Sequence, residues 1–402
     1  MAGDAELRRE IKSVAAYQRL MTDYYRTAKR AAKDGRKVAW ITSGGPVEPL
    51  HCFDVIPVYP ENHGAMCGTT RMSVDLCEVA EDRGFSRDLC SYARGDIGCA
   101  MTQGGPIGGL PRPDMLICCN NICGTVLKWY EELSRYFDCP MFLLDTPFVR
   151  GQVSEHAAAY VEAQMEEYVA FLEQQTGIAF DEERLNDVAA KSLRSLELWS
   201  EVLACAEHRP SPMNCFDAFV HMAPVVTLRG TDEVVTYYEG LLEEMQERVR
   251  TGISAVPEER YRLLWDNIPI WYEMSSLSGL LASLGACLVA DTYTSAWSFD
   301  MRDMSKPLRT YAIAYTEIFL NVNLERMVDK SVALAKRYSV DGMIMHSNRS
   351  CKPYSLGQYD NAARFTQQTG LPVLILEADH TDSRVYSRAQ AEERIRAFVE
   401  TL

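Results

Sequence analysis

DMLICCNNICGTVLKWYEELSRYF, residues 114–137, passes from a short apolar run through an Asn/Gly turn into a helical stretch. Residues 114–119 are strand-length and wholly apolar after the first position. Residues 124–137 read as a helix, with Trp129 and Tyr130 on its packing face. Outward from this unit the same alternation recurs. KVAWITS (37–43), VIPVYPE (55–61) and PMFLLDT (140–146) are predicted strands, and 44–53 and 73–83 are predicted helices. Short strands alternating with helices make βαβ units and a mostly parallel sheet.

The chain opens with a predicted helix over 5–33. Residues 153–175 and 183–206 carry no strand signal, and RPSPMNCF (209–216) punctuates them before a third helix at 232–250. A second alternation follows: YRLLWDNIP (261–269), ACLVADTYT (286–294), DGMIMHS (341–347) and PVLILEAD (372–379), with a last helix at 388–402. The expected fold class is therefore α/β, with two Rossmann-like or flavodoxin-like parallel-sheet domains and an intervening helical section. The expected boundaries are 1–150 with the leading helix, 151–255 helical, and 256–402. No repeat at the level of residues and no low-complexity segment is visible.

In open α/β sheets, ligands gather outside the carboxyl ends of the strands. Ser43, Glu61, 119–123, Asp145 and 346–351 all follow apolar runs, so one cleft between the halves is expected to collect residues from both. Three cysteines stand in such turns: Cys90 in LCSYAR, Cys123 in CCNNICGT and Cys351 in HSNRSCK. Three thiolates on one chain point to an iron–sulfur cluster with one open iron. The spacing itself is not that of a compact cluster motif such as C-x2-C-x2-C. Free cysteines are usually small buried hydrophobes, and that reading competes with ligation. It suits Cys118 inside its apolar run, while Cys99 and Cys119 are rival ligands.

Composition narrows the class. The 402 residues are 47% hydrophobic and 24% charged, an ordinary globular balance, and the formal net charge is −15. An acidic chain opposes general binding to nucleic acid or anionic membrane. The first residues, MAGDAELRREIKSVAAY, lack the apolar stretch of a secretion signal, and no apolar run approaches the roughly 20 residues that span a bilayer. A soluble cytoplasmic protein is expected, in which 13 cysteines are not a disulfide set.

The words around the cysteines carry more. YPEN (59–62), LCSYAR (89–94), CCNNICGTVLKWYE (118–131), RPSPMNCFDAF (209–219) and HSNRSCK (346–352) together resemble the 2-hydroxyacyl-CoA dehydratase and benzoyl-CoA reductase family, over nearly the whole chain. The resemblance implies a two-subunit enzyme in which each subunit holds a 4Fe-4S cluster by three cysteines. Carried onto the matching motifs, the ligands are Cys90, Cys123 and Cys351. It also implies a second cluster-bearing subunit and an acyl-CoA substrate. A separate dimeric ATPase activator, itself an iron–sulfur protein, would inject one low-potential electron. In the dehydratase branch that electron makes a ketyl radical at the thioester carbonyl, the 2-hydroxyl leaves, and the electron is returned. In the reductase branch two electrons and protons dearomatise a benzoyl ring.

By the same resemblance Glu61 is an acid/base candidate and Ser43 a hydrogen-bonding one, against the readings of solvated loop residue and helix cap. Their joint presence favours the dehydratase branch. His346 is read as a proton donor or acyl contact, or else as a satisfied strand-end residue, and His63 carries the same ambiguity. Asn120, Asn121 and Ser350 are read as donors to the cluster sulfurs. Arg94, Arg349 and Lys352 are read as phosphate or cluster contacts or as ordinary turn residues. TQGGPIGGLPRP (102–113) lacks the G-x-x-x-x-G-K-[ST] pattern and is read as a flexible connection, so ATP hydrolysis by this chain is not expected. The leading expectation is the cluster subunit of an (R)-2-hydroxyacyl-CoA dehydratase. The alternatives are a benzoyl-CoA reductase-type subunit and a thiol-rich or zinc-binding scaffold.

Overall fold

The computed structural model describes residues 11–299, 301, 303 and 305–402. The two predicted alternations form two four-stranded parallel sheets. The first contains β1 (Val38–Ile41), β2 (Ile56–Val58), β3 (Met115–Cys119) and β4 (Met141–Leu144) in the order β2-β1-β3-β4. The second contains β5 (Tyr261–Asp266), β6 (Ala286–Asp291), β7 (Gly342–Asn348) and β8 (Val373–Ala378) in the equivalent order β6-β5-β7-β8. Both have the flavodoxin-like order, whose direction reverses between β1 and β3 and between β5 and β7.

Helices cover both faces of the central strands, so every residue of β1, β2 and β3 is buried. That is why these strands read as unbroken apolar runs rather than alternating ones. In the first sheet the register is continuous: Ala39 pairs with Met115 and Cys118 with Leu143. Beyond β1 the tie persists, as Thr42 accepts the Cys119 N–H at 3.1 Å.

Between the sheets lie the long helices Glu155–Thr176, Glu182–Ala204 and Asp232–Arg250. Asp181 caps the second by accepting the Glu183 and Arg184 amides, and Gly177 ends the first at φ 73°. This section packs on both sheets. Tyr168, Trp199 and Tyr238 share one core with Ile41 and Ile117 of the first sheet and Met343 and Met345 of the second. A buried ion pair adds to the join: Arg229 Nε lies 3.1 Å from Glu48 Oε1, both side chains are fully buried, and Tyr315 donates to Glu48 Oε2 at 2.7 Å. Among the described residues no helix is long and apolar enough to cross a membrane.

The structure departs from expectation mainly in its helices. The strand expected over 55–61 stops at Val58, and Pro60 at the first helical position starts the helix Pro60–Thr69. Glu61 therefore stands in a helix's first turn, not at a strand end. The helix expected over 44–53 is reduced to Glu48–Cys52. The opening helix spans Val14–Arg30; the start of its expected range lies outside the described residues. The helix Ser91–Thr102, unforeseen, approaches Ser73–Asp82 so closely that a Cβ on Gly98 would lie 2.0 Å from the Leu76 carbonyl oxygen.

Candidate active site

The carboxyl ends of both sheets face one cavity, and the segments that follow the strands on either side of each reversal supply part of its walls. Cys90, Cys123 and Cys351 all line it, with Ser43 and Glu61. Each cysteine is the N-cap residue of a helix: Cys90 of Ser91–Thr102, Cys123 of Gly124–Phe137, Cys351 of Lys352–Ser355. The three thiols are therefore held at backbone level, where chain direction changes.

Burial favours the uncharged thiols. It pushes Cys90 up to about 12, raises Cys123, and puts Cys351 well above its ordinary value. The charges of Cys90 and Cys123 add to the rise at Cys351, so the three feel one another. Backbone amides oppose this: those of Ala93 and Tyr92 favour the Cys90 thiolate, and those of Val126 and Thr125 the Cys123 thiolate.

Glu61 faces the same space. Its Oε1 accepts the Ser43 N–H at 3.0 Å and the Ser43 hydroxyl at 3.3 Å, while its buried Oε2 has no partner. Desolvation raises its carboxyl to about 7 against the pull of Ser43. Asp96, buried one helix away, is likewise lifted to about 7 by burial, although Trp129 donates to it at 2.9 Å.

The turns are tied by a network that sequence reasoning missed. Ser91, directly after Cys90, donates to Asp379 Oδ1 at 2.6 Å, and Ser350, directly before Cys351, donates to Asp379 Oδ2. Burial works to raise Asp379, but His380, the Asp382 amide and the two serine hydroxyls hold it down at about 2. His380 places Nε2 2.9 Å from Ser91 Oγ and 3.8 Å from Cys90 Sγ, and it lines the cavity. The available signal was the end of the predicted strand PVLILEAD, a position not singled out among the strand ends in the sequence.

Other predicted residues lie elsewhere. His346 is fully buried within β7 and is not part of the cavity wall; its Nδ1 donates to the Ile268 carbonyl at 2.6 Å, and burial pushes it down to about 4. Asn120 and Asn121 were expected to serve the sulfurs. Instead Asn120 bonds Asp145 and Thr146, and Asn121 donates to the Gly44 and Tyr315 carbonyls at 2.8 and 2.6 Å. They fix the turn that presents Cys123. Arg94 is buried and paired with Glu81 and Asp382. Arg349 and Lys352 are exposed and outside the cavity wall, with Lys352 donating to the Arg349 carbonyl. Cys118 and Cys119 are fully buried in β3.

Residues 42–402 match the family described as 2-hydroxyglutaryl-CoA dehydratase, D-component. The chain is 37% identical over 388 residues to the (R)-2-hydroxyisocaproyl-CoA dehydratase alpha subunit of Clostridioides difficile, covering 95% of this chain and 94% of that one. It is 32% identical over 391 residues to the alpha subunit of lactoyl-CoA dehydratase from Anaerotignum propionicum, 93% of each. It is also 30% identical over 410 residues to a benzoyl-CoA reductase subunit of Thauera aromatica, 98% of this chain and 95% of that one. With a match from Thr42 to the last residue, the chain belongs to the 2-hydroxyglutaryl-CoA dehydratase D-component family.

Proposed function

We propose that this chain is the alpha-type subunit of a 2-hydroxyacyl-CoA dehydratase, a hydro-lyase that converts a 2-hydroxyacyl-CoA to the 2-enoyl-CoA and water. The observation that carries this reading is the convergence of Cys90, Cys123, Cys351 and Glu61 on one cavity. The donor set fits the iron–sulfur cluster that the family implies. Three thiols from three separate turns face one space, and the ligand atoms of His63, Cys67 and Cys99, not theirs, form the described group within 4.8 Å. Wider spacing suits a polynuclear core rather than a single ion. When bound by three cysteines, a 4Fe-4S cluster supplies an iron open to an oxygen ligand and a path for one electron.

The finer reading is that a separate dimeric ATPase with its own iron–sulfur cluster delivers that electron, and that elimination proceeds through a ketyl at the thioester carbonyl. A second cluster-bearing subunit completes the enzyme, in keeping with relatives named as alpha subunits. In the net reaction the C2–O bond breaks, a proton leaves C3, the C2–C3 double bond forms, and the electron is returned. Glu61, near 7, holds the proton that goes to the departing hydroxyl, from the oxygen that no other group engages. Ser43 orients that carboxyl through the opposite oxygen.

The walls bear on the acyl group. Trp271, Tyr293, Trp297, Phe299 and Phe319 line the cavity, and among its described lining residues there is no lysine or arginine. A second carboxylate on the substrate would be buried without a counter-ion. The anaerobically purified complex, with activator and ATP, should therefore turn over a branched-chain 2-hydroxyacyl-CoA and reject a 2-hydroxydicarboxylic one. Failure to release water from any 2-hydroxyacyl-CoA would overturn the assignment. The kinship with a benzoyl-CoA reductase subunit and the aromatic walls favour ring reduction as the second reading. That reaction consumes electrons stoichiometrically, whereas dehydration needs only an initiating dose.

A further inference from the structure

His63, Cys67 and Cys99 take no part in that reaction and are absent from the cavity wall. We propose that they bind one thiophilic divalent cation, zinc by donor chemistry, as a second metal site separate from the three-cysteine one.

His63 and Cys67 are four positions apart on the helix Pro60–Thr69, hence on one face of it, and Cys99 comes from the helix Ser91–Thr102. All three are buried, and their ligand atoms lie within 4.8 Å of one another. Cys67 Sγ is 3.9 Å from His63 Nδ1 and 3.9 Å from Cys99 Sγ. A tetrahedral zinc with bonds of about 2.3 Å to sulfur and about 2.0–2.1 Å to nitrogen holds two sulfurs about 3.8 Å apart, and a sulfur and a nitrogen about 3.6 Å apart. Those two edges already approach the bound shape.

Buried thiols elsewhere in the chain behave differently. Cys52, Cys77 and Cys205 each donate to a backbone carbonyl, at 3.8, 3.6 and 3.4 Å. Cys67 and Cys99 turn to each other and to an imidazole. His63 Nε2 lies 3.3 Å from the Pro106 carbonyl, to which its N–H donates, leaving the Nδ1 lone pair toward Cys67. A backbone carbonyl on the far ring nitrogen is the usual support of a metal-bound histidine.

The Gly-rich stretch has a role here. Gly105, at φ 113°, would bring a Cβ to 2.9 Å from Cys99 Sγ and 3.2 Å from His63 Cε1, so only glycine lets this loop close over the three donors. Two thiolates, a neutral imidazole and a divalent cation sum to zero charge, which suits a buried place. Binding releases the two thiol protons to solvent, and water completes the fourth position. The cation would brace the helix whose first turn holds Glu61 against the one capped by Cys90.

The test is elemental analysis of the anaerobically purified full complex. We expect about one zinc per chain beside the iron. Cys67→Ala and Cys99→Ala should each lose the zinc and keep the iron, while Cys90→Ser keeps the zinc. X-ray absorption at the zinc edge of the wild-type complex should show two sulfurs and one imidazole nitrogen, a readout that needs no variant to fold. Zinc-free protein after incubation with zinc chloride, zinc retained by both alanine variants, a zinc shell of three sulfurs, or a Cys67–Cys99 disulfide in the alkylated unreduced digest would each overturn the proposal.

Discussion

Ser91 donates its hydroxyl to Asp379 at 2.6 Å although 288 positions separate them in the chain. The other oxygen of the same carboxylate takes the Ser350 hydroxyl. Asp379 thus fastens the Cys90 turn of one half to the Cys351 turn of the other.

Replacing Asp379 by Asn removes the charge that this clamp is built around. A carboxyl held at about 2 against an ordinary 3.8 contributes stability that is complete above pH 4 and is lost as pH falls toward 2. The contribution is on the order of 2 kcal/mol. Urea unfolding should show Asp379→Asn weaker at pH 7 by about that amount. The difference should narrow between pH 4 and pH 2.

Cys90→Ser, Cys123→Ser and Cys351→Ser should each yield protein with deficient iron and no turnover. Cys118→Ser, buried in β3 away from the cavity wall, should keep its iron and lose only packing energy. Iron and labile-sulfide determinations on the four variants decide this. Full iron in all of the first three would remove these residues as ligands.

Glu61→Gln should keep iron and lose about 10²- to 10⁴-fold in rate, the usual worth of a positioned acid or base. In the proposed role the protonated form is the active one, so kcat/KM in the wild type should fall as pH rises through about 7, and this limb should vanish in the variant. Stability moves the same way. A carboxyl raised from 4.5 to about 7 costs nothing below pH 4.5 and costs most above pH 7, so Glu61→Gln should gain thermal stability at pH 8 but not at pH 4.

The Glu48–Arg229 pair is buried on both sides and shared with Ser192 and Tyr315. Arg229→Met leaves an uncompensated carboxylate and should cost on the order of 3–5 kcal/mol. Calorimetry on the variant should show a much lower melting temperature. An unchanged one would mean that the buried pair contributes little to stability.

All eight strands were legible: parallel strands buried on both faces are written as unbroken apolar runs, as in Met115–Cys119, and the half-buried β4 and β8 are still apolar over most of their length. The three sulfur-bearing turns were legible from their motifs. Helices were less so. Ser91–Thr102 carries Gly95 and Gly98 and buries nearly every residue, so it shows no polar face to set a period. The helix Pro60–Thr69 has little amphipathic contrast for the same reason, which made Glu61 look like a strand end. The Asp379 clamp and the His63–Cys67–Cys99 group depend on approach between distant segments. No local spacing announces either as a whole, and His346 stands out ahead of His380 in the sequence only because it lies nearer to a cysteine.

Cys351 and Asp379 follow Cys90 and Cys123 by more than 200 positions in the chain. During synthesis the first half can fold while its two cavity-facing thiols still lack a third wall. The cavity closes only after β7 and β8 have left the ribosome and paired. Whatever the three thiols hold can therefore be enclosed only once the second sheet has formed, and a truncation that spares the whole first sheet would leave the cavity without its Cys351 wall.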